Sequence, residues 1–213
     1  MTGPTHKQYA VTFALATNTQ LYACGMTEVN YYLSLPIVLL TSKYGALFPG
    51  VDHTWQNVKD KIIPNWIINK IIHITGGKHR SWQTHSIDIV AIVVLMSYIL
   101  PKLLFQYGFI TSVNMEVMSI IMFGFSSGWI SHIFADMLTS AGVRLICWLP
   151  FKVALVPKKL FKLKFNTGNE WEAFCFRLTR VINIILGVGC ILYPIIETGA
   201  ITSLVDYIIS LIN

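Results

Sequence analysis

Residues 89–100 read IVAIVVLMSYIL, a run without a single charge. It is the centre of a longer apolar stretch, Ile87 to Leu104, bounded by Asp88 at its start and Lys102 near its end. About 20 apolar residues in helical geometry cross the hydrocarbon of a bilayer. The run therefore predicts a transmembrane helix, and the rest of the chain must fold around it.

Other runs repeat the signal. Tyr9–Cys24 is moderately apolar, diluted by Thr12, Thr17, Asn18, Thr19 and Gln20, as suits a helix packed inside a bundle. Tyr31–Phe48 is stronger and is stopped by Pro49-Gly50. Val117–Leu138 is long enough to span. Val181–Ile212 is apolar but interrupted by Pro194, Glu197 and Gly199, so it reads as two short helices in a hairpin or as one broken span. Between these lie residues 51–86, with a short amphipathic stretch at Ile62–Ile74 broken by Gly76-Gly77, and residues 139–180, with a basic segment at Lys152–Lys164. Composition agrees: 54% of the 213 residues are hydrophobic and 12% charged, against about 25% charged in soluble domains. A disordered chain, a coiled coil and a disulfide-stapled module are excluded. Cys24, Cys147, Cys175 and Cys190 are far apart and form no CxxC pair, so they read as small buried hydrophobes. The expected class is all-α, a multi-span membrane helical bundle.

Lys and Arg set the orientation, because they concentrate in short cytoplasmic loops. With spans at 9–24, 31–48, 87–106, 117–138, 181–196 and 198–212, the N-terminus and both polar loops share one side. That side carries nearly all the lysines and arginines, and Lys102 lies opposite, where the turns hold Glu28, Glu116 and Glu197. The basic side is expected in a bacterial cytoplasm. This topology also accounts for the +6 net charge, so nucleic acid is not an expected partner.

The same topology brings His6, Asp52, His79, His85, His132 and Asp136 to one end of the bundle, although none of them was used to derive it. His132 and Asp136 are four apart, on one face of a helix. An imidazole and a carboxylate at that spacing suit zinc or another divalent transition metal. A carboxylate in a membrane helix is costly unless paired, solvated or coordinated. Read alone, the pair also fits a helix-end Asp solvated at the interface. His79 and His85 lie in Lys78–Ser86, beside Arg80, a fixed cation able to grip a phosphate or a developing oxyanion. Alone, that segment is also a basic loop touching lipid headgroups. His53 next to Asp52 reads as a ligand or as its supporting partner, and His73 as interfacial packing.

Together these residues resemble the YdjM-type family of LexA-regulated, inner-membrane, metal-dependent hydrolases. The matching segments are His6, PGVDH at 49–53, HRSWQTHS at 79–86 and HIFADMLTSAGV at 132–143. Gly50 stands where the family has a first Asp, and the His79–His85 segment is one residue longer. The resemblance spans about residues 1–160, which it implies form the hydrolase-like domain. Residues 161–213 then comprise the remainder of the basic loop and C-terminal apolar helices. The family's distant similarity to zinc-dependent phospholipase C implies phosphoester chemistry.

The expectation is thus a divalent metal, Zn²⁺ or Mn²⁺, held by His6, Asp52, His79, His85, His132 and Asp136, with Asp52 or Asp136 alternatively orienting water. Arg80 would stabilise transition-state charge. A site at the membrane surface points to a lipid or lipid-linked phosphoester. The rival is a non-enzymatic scaffold or transporter with a structural or transported metal, docking an acidic partner on residues 144–180.

Overall fold

The computed structural model describes residues 1–25, 28–52, 63–78, 80, 82–148, 151–156, 159–160, 163–164, 168–197, 199, 203 and 209–210. His53 and His79 lie outside the described residues. The described chain is a helical bundle. Its elements are α1 (Gly3–Ala23), α2 (Glu28–Leu47), a 3-10 turn (Phe48–Asp52), α3 (Ile63–Ile74), α4 (Trp82–His85), α5 (Ile87–Gln106), α6 (Ser112–Met137), the two-residue ladder β1 (Lys159–Leu160) and β2 (Leu163–Lys164), and α7 (Glu170–Glu197). Helices α5, α6 and α7 are long and apolar enough to cross a membrane. Helices α1 and α2 have comparable length but carry buried polar groups: Asn18 Nδ2 donates to Tyr31 O, and Ser34 Oγ donates to Asn18 Oδ1 at 2.6 Å. Paired in this way, an amide inside the bundle avoids the several kcal/mol that an unsatisfied group costs in hydrocarbon.

The last third departs from expectation. Residues 170–180, read as part of a polar loop, are the first turns of α7, and the run after them is neither a hairpin nor broken before Glu197. The helix passes through Pro194, and membrane helices tolerate proline where neighbouring groups re-satisfy the freed backbone. The second half of the expected hairpin, 198–212, falls largely outside the described residues.

Helix α6 is the central element, packed on α1, α2 and α5. Its approach to α2 is set by small residues. A Cβ on Gly128 would collide with the backbone of Ser42, and one on Gly124 with the Thr41 hydroxyl; Gly45 faces the Phe125 carbonyl just as closely. Gly124 and Gly128 form the small-xxx-small pattern that lets membrane helices meet backbone to backbone. Without a large hydrophobic gain between helices in lipid, this contact and its hydrogen bonds carry the association.

Helix α3 is amphipathic, as its sequence predicted. It buries Ile72 and Asn69 and exposes Ile67, Ile71 and Ile74. Asn69 Nδ2 donates to Val51 O, which ties α3 to the 3-10 turn. The turn follows α2 because Pro49 cannot donate within a continuing helix, and it leaves Asp52 buried at the end of the bundle.

Candidate metal centre

Three devices aim side chains into that end of the bundle. First, the close α2–α6 contact brings His132 Nδ1 to 2.6 Å from Ala46 O. A carbonyl only accepts, so Nδ1 carries the proton and the Nε2 lone pair is left for the centre. Second, Trp129 on α6 donates Nε1–H to Thr84 O at 2.7 Å and pins the short α4 against α6. Third, Glu172 at the start of α7 accepts from Thr2 N, Thr2 Oγ1 and Thr5 Oγ1, the last two at 2.7 Å. Its other oxygen accepts from Gly168 N at 2.7 Å. This carboxylate supplies the cap that Thr2 does not form with its own side chain, and it fixes the α1 turn carrying His6.

The side chains so placed surround Asp136. His6 Nε2 lies 3.5 Å from Asp136 Oδ1. His85 Nε2 lies 3.4 Å and His132 Nε2 3.6 Å from Oδ2. The His6 and His132 rings stack at 3.7 Å between centroids, and His85 meets His132 edge-on at 5.1 Å. All four residues are buried. Arg80 closes the outer side with a fork: Nε is 3.0 Å from Oδ2, and Nη2 donates to Oδ1 at 3.0 Å. The Met1 nitrogen also donates to Oδ1, at 2.7 Å.

Asp52 sits on the other side of His85. Its Oδ2 accepts the Thr84 hydroxyl at 2.6 Å and Arg80 N at 2.9 Å, and lies 3.4 Å from His85 Nδ1. The Thr84 oxygen is also 2.8 Å from His85 Nδ1. Its only proton goes to Asp52, so it accepts from Nδ1–H. A neutral His85 therefore turns its Nε2 lone pair toward Asp136. Burial alone would push the His85 pKa down, but the carboxylates of Asp136 and Asp52 outweigh it and hold the pKa above its ordinary value. Arg80 is the one described non-glycine residue with a positive φ, 60°. That conformation is uncommon for a long side chain. Here it lets one residue donate its backbone to Asp52 and its side chain to Asp136.

The donor set fits a metal. Ligand atoms arranged tetrahedrally at about 2.0–2.2 Å from zinc are separated by about 3.3–3.6 Å. The three Nε2–carboxylate separations fall at 3.4–3.6 Å. His6, His132 and Asp136 each offer an atom within 4.8 Å of the others, a triad that does not include His85, whose Nε2 reaches the centre on the Oδ2 side of Asp136.

The chain matches the YdjM inner membrane protein family over residues 1–206. It belongs to that family. The inner membrane protein YdjM of Escherichia coli K12 is 29% identical over 178 residues, which covers 82% of this chain and 76% of that protein. The Shigella flexneri protein of the same name matches to the same extent. No solved structure matches the chain. The family match runs through α7, past the segment that carries the His and Asp motifs.

Of the residues singled out in the sequence, His6, His85, His132 and Asp136 meet in one cluster, with Arg80 gripping Asp136 and Asp52 behind His85. Sequence reading missed Thr84, the Ala46 carbonyl and Glu172. Thr84 carried a faint signal, as a hydroxyl directly beside a candidate ligand. Glu172 carried another, as an acid followed by a long apolar helix.

Proposed function

We propose that this protein is a membrane-embedded, metal-dependent hydrolase acting on a phosphoester, of lipid or lipid-linked kind, at the cytoplasmic face. The observation that carries the reading is the ring of three imidazole Nε2 atoms at 3.4–3.6 Å around one buried carboxylate. A structural ion pair needs only one cation. Asp136 already has Arg80, so three further imidazoles are explained by coordination.

His6, His85, His132 and Asp136 would hold the metal. Bound there, Zn²⁺ or Mn²⁺ supplies a Lewis acid for a phosphoryl oxygen and lowers the pKa of water. The Ala46 carbonyl and the Thr84–Asp52 pair keep the His132 and His85 rings in their ligating tautomers. Arg80 lies at the mouth of the cluster, 12% exposed at its side chain. With Asp136 turned to a bound ion, the Arg80 guanidinium would be free to take a phosphate oxygen. The gathering of these groups at one end of the bundle favours an interfacial substrate, since a transporter site is expected near mid-membrane. The Lys and Arg bias of the loops supports the cytoplasmic orientation.

The test is metal content and hydrolysis of detergent-purified protein, assayed on phospholipid and generic phosphodiester substrates with added Zn²⁺ or Mn²⁺. His132→Ala should lose metal and activity together. Arg80→Ala should keep metal and lose activity by about 10²–10³-fold, the usual cost of one charge-stabilising donor. Equal turnover by the parent and His132→Ala would end the enzyme reading for this cluster.

A further inference from the structure

On the far side of α1 from His6, a groove of about 700 Å³ runs between α1 and α2, with Phe176 of α7 as its third wall. Its volume lies in the usual range for small-molecule sites, about 300–1,000 Å³. Both main walls are built to one pattern. Helix α1 contributes Pro4, Lys7, Gln8 and Val11, and helix α2 contributes Leu40, Lys43, Tyr44 and Leu47. Each set follows the i, i+3, i+4, i+7 spacing of a single helix face, with lysine at the same place in each.

The two lysines share a depth. Lys7 is four residues into α1 (Gly3 to Lys7), and Lys43 is four residues from the end of α2 (Lys43 to Leu47). The helices are antiparallel neighbours, so both lysines leave the backbone about 6 Å, or four residues, inside the same end of the bundle. Among the described residues, neither lysine forms an ion pair. Two unpartnered cations beside membrane-level apolar surface need an anion or a route to water. The wall beyond them is apolar: Val11 and Leu40 lie about a turn further toward the middle of the bundle, and Leu40 is 58% exposed.

We propose that this groove is a binding site for an anionic phospholipid. The phosphate lies between Lys7 and Lys43, and one acyl chain lies along Val11, Leu40 and Phe176. Charge and shape both select this occupant. A free phosphate makes no use of the apolar wall, and a zwitterionic lipid offers less net charge to two cations. The site is separate from the metal centre, because His6 occupies the buried face of α1 and Lys7 the exposed one.

The experiment is native mass spectrometry of the full-length detergent-solubilised protein, titrated with phosphatidylglycerol, phosphatidylcholine or glycerol phosphate. Parent protein should retain phosphatidylglycerol in preference to phosphatidylcholine and retain no glycerol phosphate. Lysines near an anionic surface contribute about fivefold each, so Lys7→Ala/Lys43→Ala should bind phosphatidylglycerol about 30-fold more weakly. Leu40→Trp keeps both lysines and fills the groove, and it should lose the lipid as well. Unchanged helical circular dichroism and unfolding midpoint certify the fold of each variant; Lys7→Gln with Lys43→Gln replaces the alanine pair if that fails, and Leu40→Phe replaces Leu40→Trp. Equal retention of the two lipids, or phosphatidylglycerol binding unaffected by either variant, overturns the proposal. Loss in the lysine variant with full binding in Leu40→Trp also overturns it, as surface attraction without a groove.

Discussion

His85 faces two carboxylates with its two ring nitrogens: Nε2 lies 3.4 Å from Asp136 Oδ2, and Nδ1 lies 3.4 Å from Asp52 Oδ2 with the Thr84 hydroxyl bridging at 2.8 Å. One carboxylate thus stands inside the cluster and the other behind it. The pair sets the ring plane and tautomer before any ligand arrives, which is the role of supporting groups around metal-binding histidines.

Removing that support should weaken metal binding without deleting a nitrogen or oxygen that points into the cluster. Thr84→Val is close in shape and loses only the hydroxyl, while Asp52→Asn keeps the size and loses the charge. Each should lower metal affinity by about 10–100-fold, measured by competition with a chromogenic chelator. Parent-like affinity in both variants would mean that His85 is oriented by something else, or does not ligate.

The pH dependence has opposite signs with and without metal. Ligand nitrogens must be deprotonated to bind. The His85 pKa is raised above about 6.5, its ordinary value, so metal affinity should climb as pH rises from about 6.5 through the raised value. In metal-stripped protein, the protonated ring paired with two carboxylates contributes stability. That contribution is complete below about 6.5, the unfolded value, and is lost as pH rises through the folded one. Thermal unfolding of chelator-treated protein should therefore show the parent's midpoint falling relative to that of His85→Gln as pH rises above about 6.5. A midpoint difference that stays constant with pH would assign the effect to another group.

The α2–α6 contact should be as sensitive as the cluster itself. At Gly128 an added methyl meets the Ser42 backbone, which cannot swing aside as a side chain would. Gly128→Ala should therefore separate the helices locally and cost about 1–3 kcal/mol, the usual range for overpacking. Separation also carries the Ala46 carbonyl away from His132, so the metal should be bound less tightly. Gly189→Ala, inside α7 where nothing lies within 4 Å of the added carbon, is the control: it should leave metal content unchanged and hold or slightly raise the unfolding midpoint, because alanine favours a helix over glycine.

Much of this was legible from residues alone, and the missing parts share a cause. His132 and Asp136 were readable because four residues is a helical repeat. His6 and His85 followed from charge-derived topology, because alternating spans put every second loop at the same end. The Ala46 carbonyl was not readable: any residue has one, and only the tertiary approach through Gly124 and Gly128 selects it. The first turns of α7 read as loop because Glu170, Glu172, Arg177 and Arg180 dilute the apolar pattern where the helix leaves the hydrocarbon. Pro194 read as a break by soluble-protein rules, which neighbouring helices relax.

Glu172 offers the sharpest link between the fold and the cluster. Its side chain is buried, 5% exposed as a residue, and takes four hydrogen bonds from Thr2, Thr5 and Gly168. These donors belong to the start of α1, one residue before His6, and to the turn before α7. Glu172→Ala leaves them without an acceptor, at a cost of about 2–3 kcal/mol. For a chain of this size that lowers the unfolding midpoint by roughly 5–10 °C. If the carboxylate served only to fasten α7, stability would fall and metal affinity would stay at the parent value. The geometry predicts that both fall, because the freed α1 turn no longer holds His6 at 3.5 Å from Asp136. Glu172→Gln keeps one acceptor oxygen and should fall between parent and Glu172→Ala in both measurements. The comparison to make is metal affinity at a temperature where all three proteins remain folded. Parent affinity in folded Glu172→Ala would show that His6 is placed by the α1–α6 packing alone.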